Sequence, residues 1–218
     1  MTWTVVLPLK GGPAAKSRLR GLPGVDDLAH ALTLDCLDAV LACTAVGRVT
    51  VVTADPITAA AARAVGAQVV AERRPGAGLV PAVLDGVRTA EPARPAAVLL
   101  GDLPALRPDD LAAALGAAAG VLAALPRPPM VVVPDADQEG SVLLAAARPA
   151  DLDPAFGAGS LREHERRGAV RLELDLPRLR RDVDTPADLR AALALGCGPR
   201  TTAWAAFITQ GEISRDLT

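Results

Sequence analysis

Near the start of the chain three cations and two glycines crowd one short stretch: Lys10, Gly11, Gly12, Lys16, Ser17 and Arg18. Lysine and arginine neutralise phosphate oxygens, and glycine lets backbone N–H groups come close to them, so this stretch has the chemistry of a polyphosphate cradle. Neither G-x-x-x-x-G-K-[ST] nor G-x-G-x-x-G is present, and a solvated basic loop accounts for the same residues. A second group is acidic. Asp102 follows the apolar run Ala96-Ala97-Val98-Leu99-Leu100, and Asp182 and Asp184 stand two apart after another expected strand, which in extended chain puts both on one face. Carboxylates from two strand ends can converge on one hard cation, and magnesium takes one or two of them plus water and a substrate phosphate. Taken singly, Asp102 also suits a turn and Asp184 a helix cap.

The third group is neutral. Gly140-Ser141 and Phe156-Gly157-Ala158-Gly159-Ser160 are glycine–hydroxyl turns whose N–H and O–H groups suit a phosphate or a carboxylate, the second at a helix start. Ordinary turn chemistry accounts for them equally well. His164 falls among Arg162, Arg166 and Arg167 and reads as a surface residue, and His30, inside the first helix, reads as structural. No Ser-His-Asp or Cys-His pattern is visible.

These groups need a frame, and the spacing of apolar residues supplies one. Short β-runs alternate with longer helical stretches, as in parallel β-α-β units. Strands are expected over 4–9, 49–53, 67–70 and 98–100, and helices from Asp26 or Asp27 to 46, then over 56–65, 80–89 and 108–125. In a parallel α/β sheet the loops at the carboxyl ends of strands line the ligand crevice, which is where the basic stretch and Asp102 fall. The order then changes: strands over 130–133, 141–146 and 170–174, with a short helix over 160–167, read as an antiparallel addition to the sheet. Thr185 and Pro186 open a last helix that runs to 195. The reading is one domain over 1–198 and a tail over 199–218 that carries no clear period.

Composition narrows the function classes. A net charge of −2 and an aromatic content of two Trp, two Phe and no Tyr give neither a broad basic footprint nor stacking platforms for nucleic acid, so no nucleic-acid partner is expected. No apolar run approaches the roughly 20 residues of a membrane helix, so no membrane partner is expected. Three cysteines, Cys36, Cys43 and Cys197, are an odd number without metal-ligand spacing and fit a reducing compartment. With no export signal at the N-terminus, the expected location is the cytoplasm.

The segments Pro8-Leu9-Lys10, Ala15-Lys16-Ser17-Arg18-Leu19, Gly101-Asp102-Leu103-Pro104-Ala105-Leu106, Phe156-Gly157 with Ser160 and His164, and Asp182-Val183-Asp184-Thr185-Pro186-Ala187-Asp188-Leu189 occur in this order. Together they closely resemble the phosphoenolpyruvate and 2-phospho-L-lactate guanylyltransferases of deazaflavin coenzyme biosynthesis, the actinobacterial branch more than the archaeal one. The resemblance implies a single α/β domain of the nucleotide-diphospho-sugar transferase type, a Rossmann-like mixed sheet with helices on both faces. It also implies magnesium on Asp102 and Asp184, GTP phosphates on Lys10, Lys16, Ser17 and Arg18, and the phospho-acid on Ser141, Gly157 and Ser160. The implied reaction joins the guanylate of GTP to phosphoenolpyruvate and releases pyrophosphate, with Lys16, Arg18, Asp102 and Asp184 as the catalytic groups. Gly78-Leu79-Val80-Pro81 departs from the family's usual Gly-Leu-Asn, so base or ribose contacts from that segment do not carry over. The competing readings are the 2-phospho-L-lactate reaction, a nucleotide-sugar glycosyltransferase of similar fold using Asp182-x-Asp184, and a nucleotide-binding module without catalysis.

Overall fold

The computed structural model describes residues 2–9, 17–19, 21–125 and 130–215. Lys10, Lys16 and the Ser17 side chain lie outside the described residues. Strands β1 (Trp3–Pro8), β2 (Val46–Thr53), β3 (Gln68–Ala71) and β4 (Ala96–Leu99) alternate with helices α1 (Val25–Ala42), α2 (Pro56–Ala64) and α3 (Leu79–Val87). After α4 (Pro108–Ala124) come β5 (Met130–Pro134), β6 (Ser141–Ala146), α5 (Ser160–Arg166) and β7 (Ala169–Arg171). Three helices close the chain: α6 (Pro177–Arg180), α7 (Pro186–Leu195) and α8 (Pro199–Arg215).

The strands form one sheet in the order β3-β2-β1-β4-β6-β5-β7. Strands β1 to β4 pair in parallel, with Val5 opposite both Val49 and Ala97. Of the three strands expected as an antiparallel addition, only β6 is reversed: it pairs antiparallel with β4 on one side and β5 on the other, whereas β5 and β7 pair in parallel with each other. Every residue of β1, β4, β5 and β6 is buried, because helices cover both faces. Val5, Leu7, Val51, Leu99 and Leu143 point to the side covered by α1 and α4, and Val6, Val52, Val98 and Leu144 to the side of α3 and α5. Alternation along each strand thus feeds two cores from one sheet.

Local chemistry sets several element ends. Asp55 accepts a hydrogen bond from Thr58 N at 2.7 Å and is followed by Pro56, so α2 starts there. Thr185 and Asp188 form a reciprocal capping box at the start of α7. Three expectations are corrected. The first helix stops at Ala42 rather than near 46, because Cys43 turns to extended backbone and Val46 already enters β2. The strand expected over 170–174 ends at Arg171, and a short helix, α6, precedes Asp182 where a strand was expected. Residues of the expected tail form α8, whose start is fixed by a buried carboxylate of α1: Asp35 accepts from Arg200 N at 3.1 Å and Thr201 N at 2.8 Å. Trp204 Nε1 donates to Gly24 O at 3.2 Å, tying α8 to the residue that opens α1. Partners this distant leave no periodic signature in the helix itself.

Candidate active site

The site lies at the carboxyl edge of the parallel strands. Leu100 N donates to Val142 O at 2.9 Å, and Gly101-Asp102 then leaves the sheet. A Cβ on Gly101 would sit 2.0 Å from Leu9 Cδ2, so the exits of β1 and β4 approach as closely as they do only with glycine there. Because β6 runs antiparallel to β4, its first residue, Ser141, arrives at this same edge. Residues 182–184 are pinned beside Asp102 by the hydrogen bond from Val183 N to Asp102 O, 3.1 Å. Val183 is fully buried with Leu19, Leu28, Leu32 and Leu189, so alternation turns Asp182 and Asp184 into the cleft. The shared face expected for this pair is therefore present, although a helix and not a strand precedes it.

Around a cleft of about 510 Å³ stand Asp102, Asp182 and Asp184, and with them Ser141, Gly157 and Ser160. Arg18 also lines it, and Leu19 beside it is anchored in the small core that holds Val183. Lys10 and Lys16 lie outside the described residues. Of the departing segment, Leu79 borders the cleft at the start of α3.

Four carboxylates act on one another here. Burial, then the charges of Asp102, Asp184 and Asp135, push the Asp182 carboxyl up to about 7. The donor set is all hard carboxylate oxygen, which fits magnesium; no group of three metal-binding side chains is gathered closely enough among the described residues to cage an ion, and magnesium needs only one or two carboxylates beside water and phosphate.

Asp135 and Glu139 also line the cleft and were not singled out in the sequence. Asp135 Oδ2 accepts from Gly140 N at 2.7 Å and Oδ1 from Glu139 N at 3.1 Å, so this side chain builds the turn that presents Ser141. A signal existed: Asp135 follows the apolar β5 as Asp102 follows β4.

The neutral side corrects one expectation. His164 is not a surface residue; it is fully buried, one helical turn after Ser160 on the inward face of α5. Its Nδ1 lies 2.9 Å from Ser141 Oγ, and its Nε2 accepts from Ala155 N at 2.9 Å. Phe156 packs edge-on against the ring, with centroids 5.1 Å apart. Burial and the nearby Arg167 charge lower its pKa to about 4, so the ring is neutral near pH 7. Gly157 adopts φ 142, a conformation that favours glycine, and a Cβ there would meet no atom within 4 Å.

Residues 29–182, which carry most of the sheet and the cleft, match the family of MobA-like NTP transferase domains, and this match sets the class as nucleotidyltransferase. Solved structures with this fold include a candidate nucleotide-diphospho-sugar transferase from Desulfovibrio desulfuricans G20, with TM-score 0.62 and 16% identity over 96% of this chain and 98% of that one. A nucleotidyl transferase from Methanothermobacter follows it, with TM-score 0.59 and 19% identity over 89% and 97%. Within the class, the chain belongs to the phosphoenolpyruvate guanylyltransferase family. It is 49% identical over 209 residues to the Geodermatophilus obscurus phosphoenolpyruvate guanylyltransferase, covering 92% of this chain and 93% of that protein. With the protein of the same name from Salinispora arenicola it shares 50% over 203 residues, 91% of each chain. The described helices include none long and apolar enough to cross a membrane.

Proposed function

We propose that the protein transfers the guanylate of GTP to phosphoenolpyruvate with release of pyrophosphate, on the route to a deazaflavin coenzyme. The observation that carries this reading is one cleft in which the carboxylates of Asp102, Asp182 and Asp184 meet the hydroxyls of Ser141 and Ser160, in a chain half identical to phosphoenolpyruvate guanylyltransferases. Carboxylates suit a cation that accompanies a triphosphate. Neutral donors suit an anion that must be held without being trapped.

Asp102 and Asp184 would hold the magnesium, with Asp182 behind them. When bound, the ion would supply charge neutralisation at the phosphoryl groups. The acid's phosphate is already ionised near neutral pH, so its oxygen attacks the α-phosphorus of GTP with no base to assist it. As the new P–O bond forms, the bond to the β-phosphate oxygen breaks and pyrophosphate departs. The main obstacle is repulsion: two unit charges about 4 Å apart cost roughly 4 kcal/mol at an effective dielectric near 20, and several meet here. Lys16 and Arg18, with Lys10 and Ser17, would offset the charge moving onto pyrophosphate. Ser141, Gly157 and Ser160 would orient the acid. The reaction is assigned to the cytoplasm, where the buried free thiols of Cys36, Cys43 and Cys197 stay reduced.

The test is pyrophosphate release from GTP with magnesium and phosphoenolpyruvate, 2-phospho-L-lactate or 3-phosphoglycerate in turn. Release is expected to depend on phosphoenolpyruvate most strongly. Preference for 2-phospho-L-lactate would move the reading to the archaeal reaction, and turnover of a nucleotide sugar without GTP use would replace it by glycosyl transfer.

A further inference from the structure

The ring of His164 joins its own helix to two other segments, 23 and 9 positions away. It sits on α5, reaches Ser141 at the start of β6 through Nδ1, and reaches Ala155 at the start of the glycine turn through Nε2. The partner at Nε2 decides the tautomer. A backbone N–H can only donate, so Nε2 must be the bare nitrogen, and a neutral ring then carries its proton on Nδ1. A ring protonated on Nε2, neutral or charged, would set two N–H groups against each other at 2.9 Å. Nδ1–H therefore donates to Ser141 Oγ, and the serine is the acceptor in that bond. The hydroxyl proton of Ser141 is left for another partner, and Ser141 lines the cleft.

We propose that His164 is a positioning residue of the acid subsite: by donating from Nδ1 to Ser141 Oγ it commits the serine hydroxyl to donate to an anionic oxygen of the substrate. This rests on the reading that the phospho-acid lies against Ser141. A serine free to rotate would present a lone pair to the anion part of the time. One whose oxygen is already occupied by a donor presents its proton, and the orientation is set before the substrate arrives. Neutrality is part of the device. The ring offers direction without adding a fixed positive charge that would hold a multiply charged product.

The test uses the fact that Gln reaches the position of Nε2 and Asn that of Nδ1. His164→Gln keeps an acceptor for Ala155 N and loses the donor to Ser141, whereas His164→Asn keeps the donor. KM for phosphoenolpyruvate is expected to rise about tenfold in His164→Gln, with KM for GTP unchanged, and His164→Asn is expected to recover most of that loss. In a Ser141→Ala background, His164→Gln should add nothing. An equal increment in both backgrounds, or His164→Asn no better than His164→Gln, overturns the proposal, since either means that the ring only props the fold. Ser141→Ala with an unchanged KM for phosphoenolpyruvate sinks the placement of the acid, and this proposal with it. The unmodified protein gives a second measurement independent of folding in the variants. It has two histidines, so long-range proton–nitrogen correlation near pH 7 can assign each ring; a buried ring protonated on Nδ1 alone is expected, and one protonated on Nε2 overturns the inference.

Discussion

Along the β4 side of the cleft, Asp102, Asp182 and Asp184 face the same space, and one of them is pushed up to about 7 by burial and its neighbours. In the same cleft, Ser141 and Ser160 present hydroxyls backed by a buried neutral imidazole whose pKa is lowered to about 4. The hydroxyl residues are buried and the carboxylates only partly so, and one group gathers charge while the other avoids it. Like charges brought together this way raise one another's pKa, as they do at Asp182, and a divalent cation is the kind of ligand that such carboxylates suit. The neutral side is complete as it stands: every polar bond of the imidazole is made within the fold. A site that must bring two anions together can thus attract with an ion that comes and goes, and orient with groups that do not.

The largest expected effect comes from discharging the acidic side. Asp102→Asn and Asp184→Asn keep the shape and lose the charge, and each should lower kcat by at least about a hundredfold while far-UV circular dichroism stays that of the parent. Near-parental rates at saturating magnesium would dissolve the distinction between the two sides. A smaller effect separates the substrates. Ser160→Ala removes one hydrogen bond to a charged group, worth about 1.5 to 3 kcal/mol, and should weaken phosphoenolpyruvate roughly ten- to a hundredfold while leaving KM for GTP alone. Lys16→Ala should do the reverse, and crossed effects in steady-state kinetics would mean that the subsites are exchanged.

The smallest effect is the most direct reading of the comparison, because the two sides should respond to pH with opposite sign. Asp182 has its pKa raised from 3.8 to about 7, so its contribution to stability is present below the lower value and is lost as pH rises through the higher one. His164 has its pKa lowered from 6.5 to about 4, so its contribution is present above the higher value and is lost as pH falls through the lower one. In chelated protein, Asp182→Asn should therefore raise Tm relative to the parent near pH 8, and His164→Asn should flatten the decline between pH 6.5 and 4. Melting curves from pH 4 to 8 check both, and gains that appear for both substitutions at the same end of that range would contradict the electrostatic difference.

Much of the frame was legible in the sequence because it depends on local chemistry. Apolar runs of four to eight residues, helices opened by Asp55-Pro56 and Thr185-Pro186, and an aspartate after a buried strand each declare themselves within a few positions. Period two in the chain likewise placed Asp182 and Asp184 on one face. The glycine turns at 140–141 and 156–160 were marked by residue type in the same way, and both line the cleft.

Tertiary structure decided what depends on a partner far along the chain. The sequence placed His164 at the surface because three arginines surround it; only the packing of α5 against β5 and β7, with Ser141 and Ala155 as partners, turns that one side chain inward. Asp135 went unmarked until its turn met the cleft, and the region after 198 until Asp35 capped its helix from 165 and 166 positions away. The Asp182 carboxyl owes its raised pKa first to burial and then to three carboxylates, only one of them a near neighbour in sequence. Residue types and spacing fix what a segment can do by itself, because backbone geometry and side-chain alternation are local. Which groups share a dielectric environment, and so which carry charge, is set by strand order and packing.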